Sequence, residues 1–193
     1  AILTAKGLKE ELGLDLPPLP WHNQRDNIGE LSSFCALLTG SIAKIASDII
    51  FLSASGINEL SITGGGASST MPQKNNPVLA EAIVALNKTN IALSSGLISA
   101  QIHNQERDAS AWQIEWMTVP QCLNITGTCL NHIALLLKSI KINEEVMIEN
   151  MDNTHGTILA EAASYLLTQQ MSKAEAQKIV AEACQKAITE KTH

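Results

Sequence analysis

Residues 28–52 read IGELSSFCALLTGSIAKIASDIIFL. Apolar side chains stand at Ile28, Leu31, Cys35, Leu38, Ile42, Ile45, Ile49 and Leu52, alternating spacings of three and four. That is a heptad seam, and a stripe this regular predicts one long helix packed lengthwise against other helices. Its other face is rich in Ala and Ser, small enough for further helices to approach, so burial on more than one side is expected. Two more stretches repeat the pattern. From about Pro77 to His103 the seam is Leu79, Ile83, Leu86, Leu93 and Leu97, with Asn90 in the same line. From about Ser110 it is Trp112, Trp116, Val119, Leu123, Leu130, Ile133, Leu137 and Ile140, with Thr126 filling the gap. An Asn in such a seam serves helix register. Pro120 is expected to kink the third helix, because it removes a backbone N–H and crowds the preceding turn. The 193 residues are 45% hydrophobic and only 3% aromatic, which suits aliphatic helix packing. The predicted fold class is therefore all-α, a long-helix bundle over 1–142 leading into a small C-terminal helical domain over 143–193.

Outside these helices, Ala1 to Leu14 reads as the tail of a helix, stopped by Gly13 and then by Pro17, Pro18 and Pro20, which make a linker. Asn143 with Glu144 and Glu145 marks a helix start, and Ser172 with Glu175 is a capping box for a last helix carrying Ile179, Val180 and Cys184. The chain begins at Ala1 without a methionine, and it is expected to be a fragment of something longer. A net charge of −6 and a pI near 5.3 leave no basic stripe for phosphates, so a nucleic-acid partner is not expected. A membrane is not expected either: the most apolar helix is interrupted by Lys44 and Asp48, and no cleavable signal heads the chain. The four cysteines have neither a disulfide framework nor metal-ligand spacing. Cys122 and Cys129 lie a heptad apart, as buried thiols of a reducing cytoplasm would.

The segment 53–76 follows neither helical nor strand periodicity, and a structureless connection of that length inside a compact domain is expected to be functional or disordered. Its end, Gly64 to Pro77, reads GGGASSTMPQKNNP. Three glycines allow a loop that closes. Ser68, Ser69 and Thr70 offer hydroxyls, Lys74 a charge and Asn76 an amide. Asn76 reads as a helix N-cap with Pro77 at the first helical position. Free N–H groups, the helix dipole and Lys74 then suit a carboxylate or a phosphate. A P-loop is excluded, since Lys74 stands between Gln73 and Asn75 rather than after Gly and before Ser or Thr. On composition alone, a flexible surface connection with a solvated lysine fits equally well.

The order Ser-Ser-x-Met-Pro-x-Lys-x-Asn decides between them. It resembles the signature loop of the fumarase/aspartase superfamily, whose members break or form a C–N or C–O bond beside a carboxylate. The resemblance implies Ser68 as catalytic base and a substrate-binding set of Ser69, Thr70, Met71, Lys74 and Asn76. Ala67 departs from the glycine usual there. The run PWHNQRD, with Gln24 and Arg25, is similar to adenylosuccinate lyases and more so to bacterial 3-carboxy-cis,cis-muconate cycloisomerases. Gln24 and Arg25 thus join the substrate-binding candidates, although their place at the mouth of a long helix also suits a capping cluster. The segment with Arg107, followed by Glu115-Trp116, resembles the cycloisomerases again, and Arg107 is a further candidate. Adenylosuccinate lyases hold a nucleotide phosphate with a serine and an arginine five and nine residues after that arginine; here Trp112 and Trp116 stand there. Gln105 replaces the histidine found in many relatives. Glu81 either faces Lys74 or is a surface carboxylate. His103 reads as a C-terminal helix cap and His155 as a local turn residue. The resemblance further implies no cofactor, no metal, a small-molecule polycarboxylate substrate and a homotetramer whose subunits share each site. Three functions stay open: a cycloisomerase, a C–N lyase releasing fumarate, and a non-catalytic helical oligomerisation module.

Overall fold

The computed structural model describes residues 2–19, 22–63, 66–67 and 75–192. The first four helices are α1 (Ile2–Leu12), α2 (Asp26–Leu52), α3 (Val78–Ser99) and α4 (Ala109–Ser139). Short strands follow in the connections: β1 (Leu60–Ile62), β2 (Gly66–Ala67), β3 (Asn75–Asn76) and β4 (Ile140–Ile142). The chain ends in α5 (Glu144–Asp152), a 3₁₀ turn (Thr157–Leu159), α6 (Ala160–Leu167) and α7 (Lys173–Glu190). The fold is all-α, as expected. α1 stops at Gly13, whose φ of +64° is the left-handed conformation that closes a helix without a Cβ penalty. Two units group the contacts, one of Ala1–Ser47 with Val78–Leu135, the other of Asp48–Pro77 with Leu136–His193.

In the first unit, the inward stripes are made of small and polar side chains. α2 buries Ser32, Cys35, Thr39, Ile42, Ala43 and Ala46; α3 buries Ala80, Ile83, Asn87, Asn90, Ser94 and Leu97. α4 buries Ala111, Glu115, Cys122, Thr126, Cys129 and Ile133. The buried stripe of α4 is turned from the expected seam and shares Thr126 and Ile133 with it. Trp116, Leu123, Leu130 and Leu137 are exposed, as are Leu31 and Ile45 of α2. Ala, Ser, Thr and Cys let the backbones close in, so the contact line follows them and the bulky residues flank it.

Asn90 has no exposed surface and ties the three helices together. Its Nδ2 donates to Thr126 Oγ1 on α4 at 3.1 Å, and to Thr39 Oγ1 and the Cys35 carbonyl on α2 at 3.4 Å each. Asn87 Nδ2 adds a bond to Thr39 Oγ1 at 3.0 Å. Both threonine hydroxyls donate back to their own helix, Thr39 to the Cys35 carbonyl and Thr126 to that of Cys122. Their lone pairs thus remain for the amides, and the network agrees on the direction of every proton. Beside it pack Cys35, Leu97 and Cys122 with Ile28 and Val119. The cysteines are free thiols, and burial pushes Cys122 up to about 11, with the neighbouring Cys35 adding to the shift. α2 has an 18-residue window of mean hydropathy 1.7, long and apolar enough by composition to cross a bilayer. Its inward face is instead the hydroxyl side of this network. α4 runs through Pro120 as one assigned helix.

The second unit corrects the reading of 53–76 as structureless. β1 pairs antiparallel with β4, Leu60 opposite Ile142, and β2 with β3, Gly66 opposite Asn76 and Ala67 opposite Asn75. Strands of two and three residues are too short to show a period. Ala67 accordingly sits in a strand conformation open to any residue, so the departure from glycine needs no unusual backbone there. Asn76 lies in a strand and α3 opens at Val78, so the N-cap and first-turn roles expected of Asn76 and Pro77 each fall one residue late. Helix α3 also ends four residues before His103. Asn143 precedes α5 as expected, but its side chain donates to the Asn58 carbonyl at 2.8 Å rather than capping the helix. Asn150 reaches back likewise, to the Ile57 carbonyl and Glu59 Oε1 at 3.0 and 2.9 Å. The Ser172–Glu175 capping box is present in both directions. His155 lies in a left-handed turn beside Gly156.

Asn90→Ala removes a buried amide and strands two threonine lone pairs. We expect it to lower the unfolding free energy of the full-length protein by about 1–3 kcal/mol. Urea midpoints of variant and parent at one protein concentration check this; an unchanged midpoint would deny the junction its structural role.

Candidate active site

The site elements that the structure describes cluster in the first unit, around the connection from α3 to α4. Asp108 precedes α4 and caps it: Oδ1 accepts from the N–H groups of Ser110 and Ala111 at 2.9 and 3.2 Å and from the Ser110 hydroxyl. Oδ2 accepts from Asn104 Nδ2 at 2.6 Å. Those donors, the Ser110 hydroxyl foremost, hold the Asp108 carboxyl far below the usual carboxylate range. Gln105, within the same loop, has a φ of +55°, and its carbonyl accepts from Asn23 Nδ2 at 2.7 Å. A left-handed non-glycine residue persists only where surrounding bonds impose it. The loop is thus pinned at Asn23 and Asp108, and Arg107 lies between.

Arg107 rests its guanidinium 4.1 Å from the centre of the Trp112 ring, which meets Trp116 edge-on with centroids 5.3 Å apart. A cation over an indole face is held by the ring quadrupole, so Arg107 is oriented while its charge stays available. Arg25 differs. Its Nε donates to Glu115 Oε1 at 2.7 Å and its Nη2 to Glu115 Oε2, a fork-to-fork pair with side chains 13% and 5% exposed. The hydrogen bond to Glu115 raises the Arg25 pKa against the opposing effect of burial. His103 follows the end of α3 with its side chain 4% exposed, Nε2 3.8 Å from Glu115 Oε1. It caps no helix: among the described residues neither ring nitrogen has a hydrogen-bond partner. An open cleft of about 1010 Å³ connects these groups, with Arg25, His103, Arg107 and Trp112 on one side and α1 with the segment after it on the other.

Of the residues singled out from the sequence, Arg25 and Arg107 come to one cleft, and Gln24 stands exposed directly before Arg25. Asn76 is half-buried in the second unit. Ser68, Ser69, Thr70, Met71 and Lys74 lie outside the described residues, and so do Gly64 and Gly65. Nothing local in the sequence marks Glu115, because its partner Arg25 lies 90 positions away. The place of His103 beside Glu115, rather than at a helix end, is likewise a tertiary fact.

A family model described as lyase matches residues 3–91. The fold superposes on the 3-carboxy-cis,cis-muconate lactonizing enzyme of Pseudomonas putida with a TM-score of 0.86 and 32% identity, over all of this chain and 43% of that one. A fumarate lyase from Mesorhizobium sp. BNC1 gives 0.85 at 29% identity, over 97% of this chain and 41% of its own. The chain belongs to the fumarase/aspartase superfamily of lyases. Within it, the sequence is 35% identical over 195 residues to the 3-carboxy-cis,cis-muconate cycloisomerase of Bradyrhizobium diazoefficiens, matching all of this chain and 43% of that protein. The chain thus spans less than half the length of the curated relatives it matches.

Glu115→Gln leaves a buried guanidinium without its counter-charge, and we expect a loss of about 3 kcal/mol in chemical denaturation of the full-length protein. Replacing both partners, Arg25→Met with Glu115→Leu, is expected to recover most of it; equal losses in the two variants would contradict a buried ion pair. Because the folded pKa of Arg25 is raised, the pair's contribution is complete at neutral pH and fades only in strong alkali, as pH rises through that higher value.

Proposed function

We propose that the protein containing this chain is a 3-carboxy-cis,cis-muconate cycloisomerase. One carboxylate of a tricarboxylate adds through oxygen to a carbon–carbon double bond, closing a lactone, while the adjacent carbon accepts a proton; no atom leaves the molecule. In the reverse sense a base removes the proton α to a carboxylate and the resulting dianion needs nearby donors. Ser68 transfers the proton, Lys74 and Asn76 hold a carboxylate, Ser69, Thr70 and Met71 bind the substrate beside them, and Gln24, Arg25 and Arg107 serve the substrate from the other segments. No cofactor enters this scheme.

The observation that carries the choice within the superfamily is the stack of Arg107, Trp112 and Trp116. Each indole has one uncharged N–H, whereas a phosphate dianion requires several aligned donors when it is buried. Arg107 is retained and suits a carboxylate. Support for a homotetramer comes from the apolar side chains that α2 and α4 leave uncovered, among them Phe34, Leu37, Met117 and Leu130. The free cysteines fit a cytoplasmic enzyme.

The test is an assay of the full-length protein with two substrates. It is expected to lactonise 3-carboxy-cis,cis-muconate and to release no fumarate from adenylosuccinate; efficient fumarate release would install a C–N lyase instead. In the same assay Ser68→Ala is expected to lower turnover ~10²–10⁴-fold with the fold intact. Parental turnover in that variant would remove Ser68 from the chemistry.

A further inference from the structure

His103 is the buried polar group that the proposed chemistry leaves without a task. Its side chain is 4% exposed, it lines the cleft, and among the described residues neither Nδ1 nor Nε2 is hydrogen-bonded. Buried imidazoles are normally satisfied, so an unsatisfied one in a cleft wall points to a partner that arrives with a ligand. The Glu115 carboxylate lies 3.8 Å away, within ion-pair reach but beyond a hydrogen bond, and it is already gripped by Arg25.

We propose that His103 is a carboxylate-binding residue of this cleft and that it takes up one proton from solution when the carboxylate binds. The choice of ligand rests on the polycarboxylate reading above. A neutral imidazole has one N–H and one lone pair, whereas an imidazolium has two N–H groups. A ring set between the Glu115 carboxylate at 3.8 Å and a ligand carboxylate faces negative charge on two sides, and that favours the imidazolium. Before the ligand enters, cations dominate the surroundings: Arg25 before α2, Arg107 in the loop, and Lys6 and Lys9 of α1, with Lys9 partly answered by Asp15 at 3.4 Å. His22 also lines the cleft. Glu115 is the carboxylate that α4 contributes, and Arg25 shares it. A polycarboxylate brings the acceptor that the second N–H needs. No bond in the ligand is made or broken; the ring nitrogen gains a proton and water or buffer loses one.

Isothermal titration of the full-length protein with propane-1,2,3-tricarboxylate, which has no double bond to react, tests this. At pH 8, binding is measured in phosphate and in Tris, whose ionisation enthalpies differ, so the difference in heat counts protons. We expect close to one proton taken up per site, and an affinity that falls about tenfold per pH unit above pH 8. In His103→Gln, whose amide donates without protonation, we expect no uptake and an affinity flat with pH. His22→Gln is expected to keep the parental proton count. Binding without uptake, uptake that survives in His103→Gln, or uptake lost in His22→Gln would each overturn the inference alone. Absence of any binding to the parent protein would overturn it together with the polycarboxylate reading. Should His103→Gln fail to fold, the parental proton count, its pH slope and the His22→Gln control decide the matter.

Discussion

One buried amide sets the arrangement of the first unit. Asn90 stands where α2, α3 and α4 meet, and its amide nitrogen reaches a hydroxyl on each of the two flanking helices. Each helix must present a threonine at the same level, and it must approach closely enough for a short side chain to span the gap. That is why the inward stripes are Ala, Ser, Thr and Cys, and why bulk is displaced to the flanks. The displaced side chains form an exposed apolar surface, so the internal junction and the outward stickiness have one cause. An apolar residue at position 90 would pack, but it would leave the hydroxyls without a reason to lie level, and register would rest on shape alone.

The site inherits its stiffness from polar pins rather than from regular structure. Asp108 fixes the start of α4, Asn23 fixes the left-handed Gln105, and Arg107 is held between them over Trp112. Arg25 enters from the mouth of α2 and is locked by Glu115. The two arginines therefore do different work in the same cleft. Arg25 has a carboxylate across its fork and is close to charge-balanced. Arg107 leans on an aromatic face, which orients a cation without neutralising it. The contact with Trp112 leaves the charge of Arg107 facing the cleft.

The fold was largely legible because long helices repeat themselves: α2 and α3 form over the two heptad stretches and bury Cys35, Ile42, Ile49, Ile83 and Leu97 of their seams, and Gly13 and the Ser172 box end and begin helices as those residues require. The register of α4 was not. Hydrophobic scale ranks Trp116, Leu123 and Leu130 as core, whereas the observed contact needs closeness, which Cys122, Thr126 and Cys129 allow. The strands around 60–76 and 140–142 escaped because pairs of two or three residues carry no period, and β1 finds its partner β4 far along the chain. For the site, the residue types of the Ser68–Asn76 run were readable without any geometry, because a specific order of side chains carried them. Glu115 and His103 had no such signal; their importance comes from Arg25, 90 positions from Glu115.

The core junction and the cleft meet on α4. Glu115 and Thr126 are eleven residues apart, three turns of helix to within roughly 20°. The rotation that seats Thr126 on Asn90 therefore also turns Glu115 inward to Arg25. Trp112 lies three residues before Glu115, and Asp108 four before Trp112, so the shelf under Arg107 and the cap of its loop follow from the same rotation. A helix turned to bury Trp116, Leu123 and Leu130 would carry Cys122 and Cys129 out of the core and Glu115 off Arg25 together. Core register and site register are thus one variable, and the small residues that fix the first are the reason the second needs no separate scaffold.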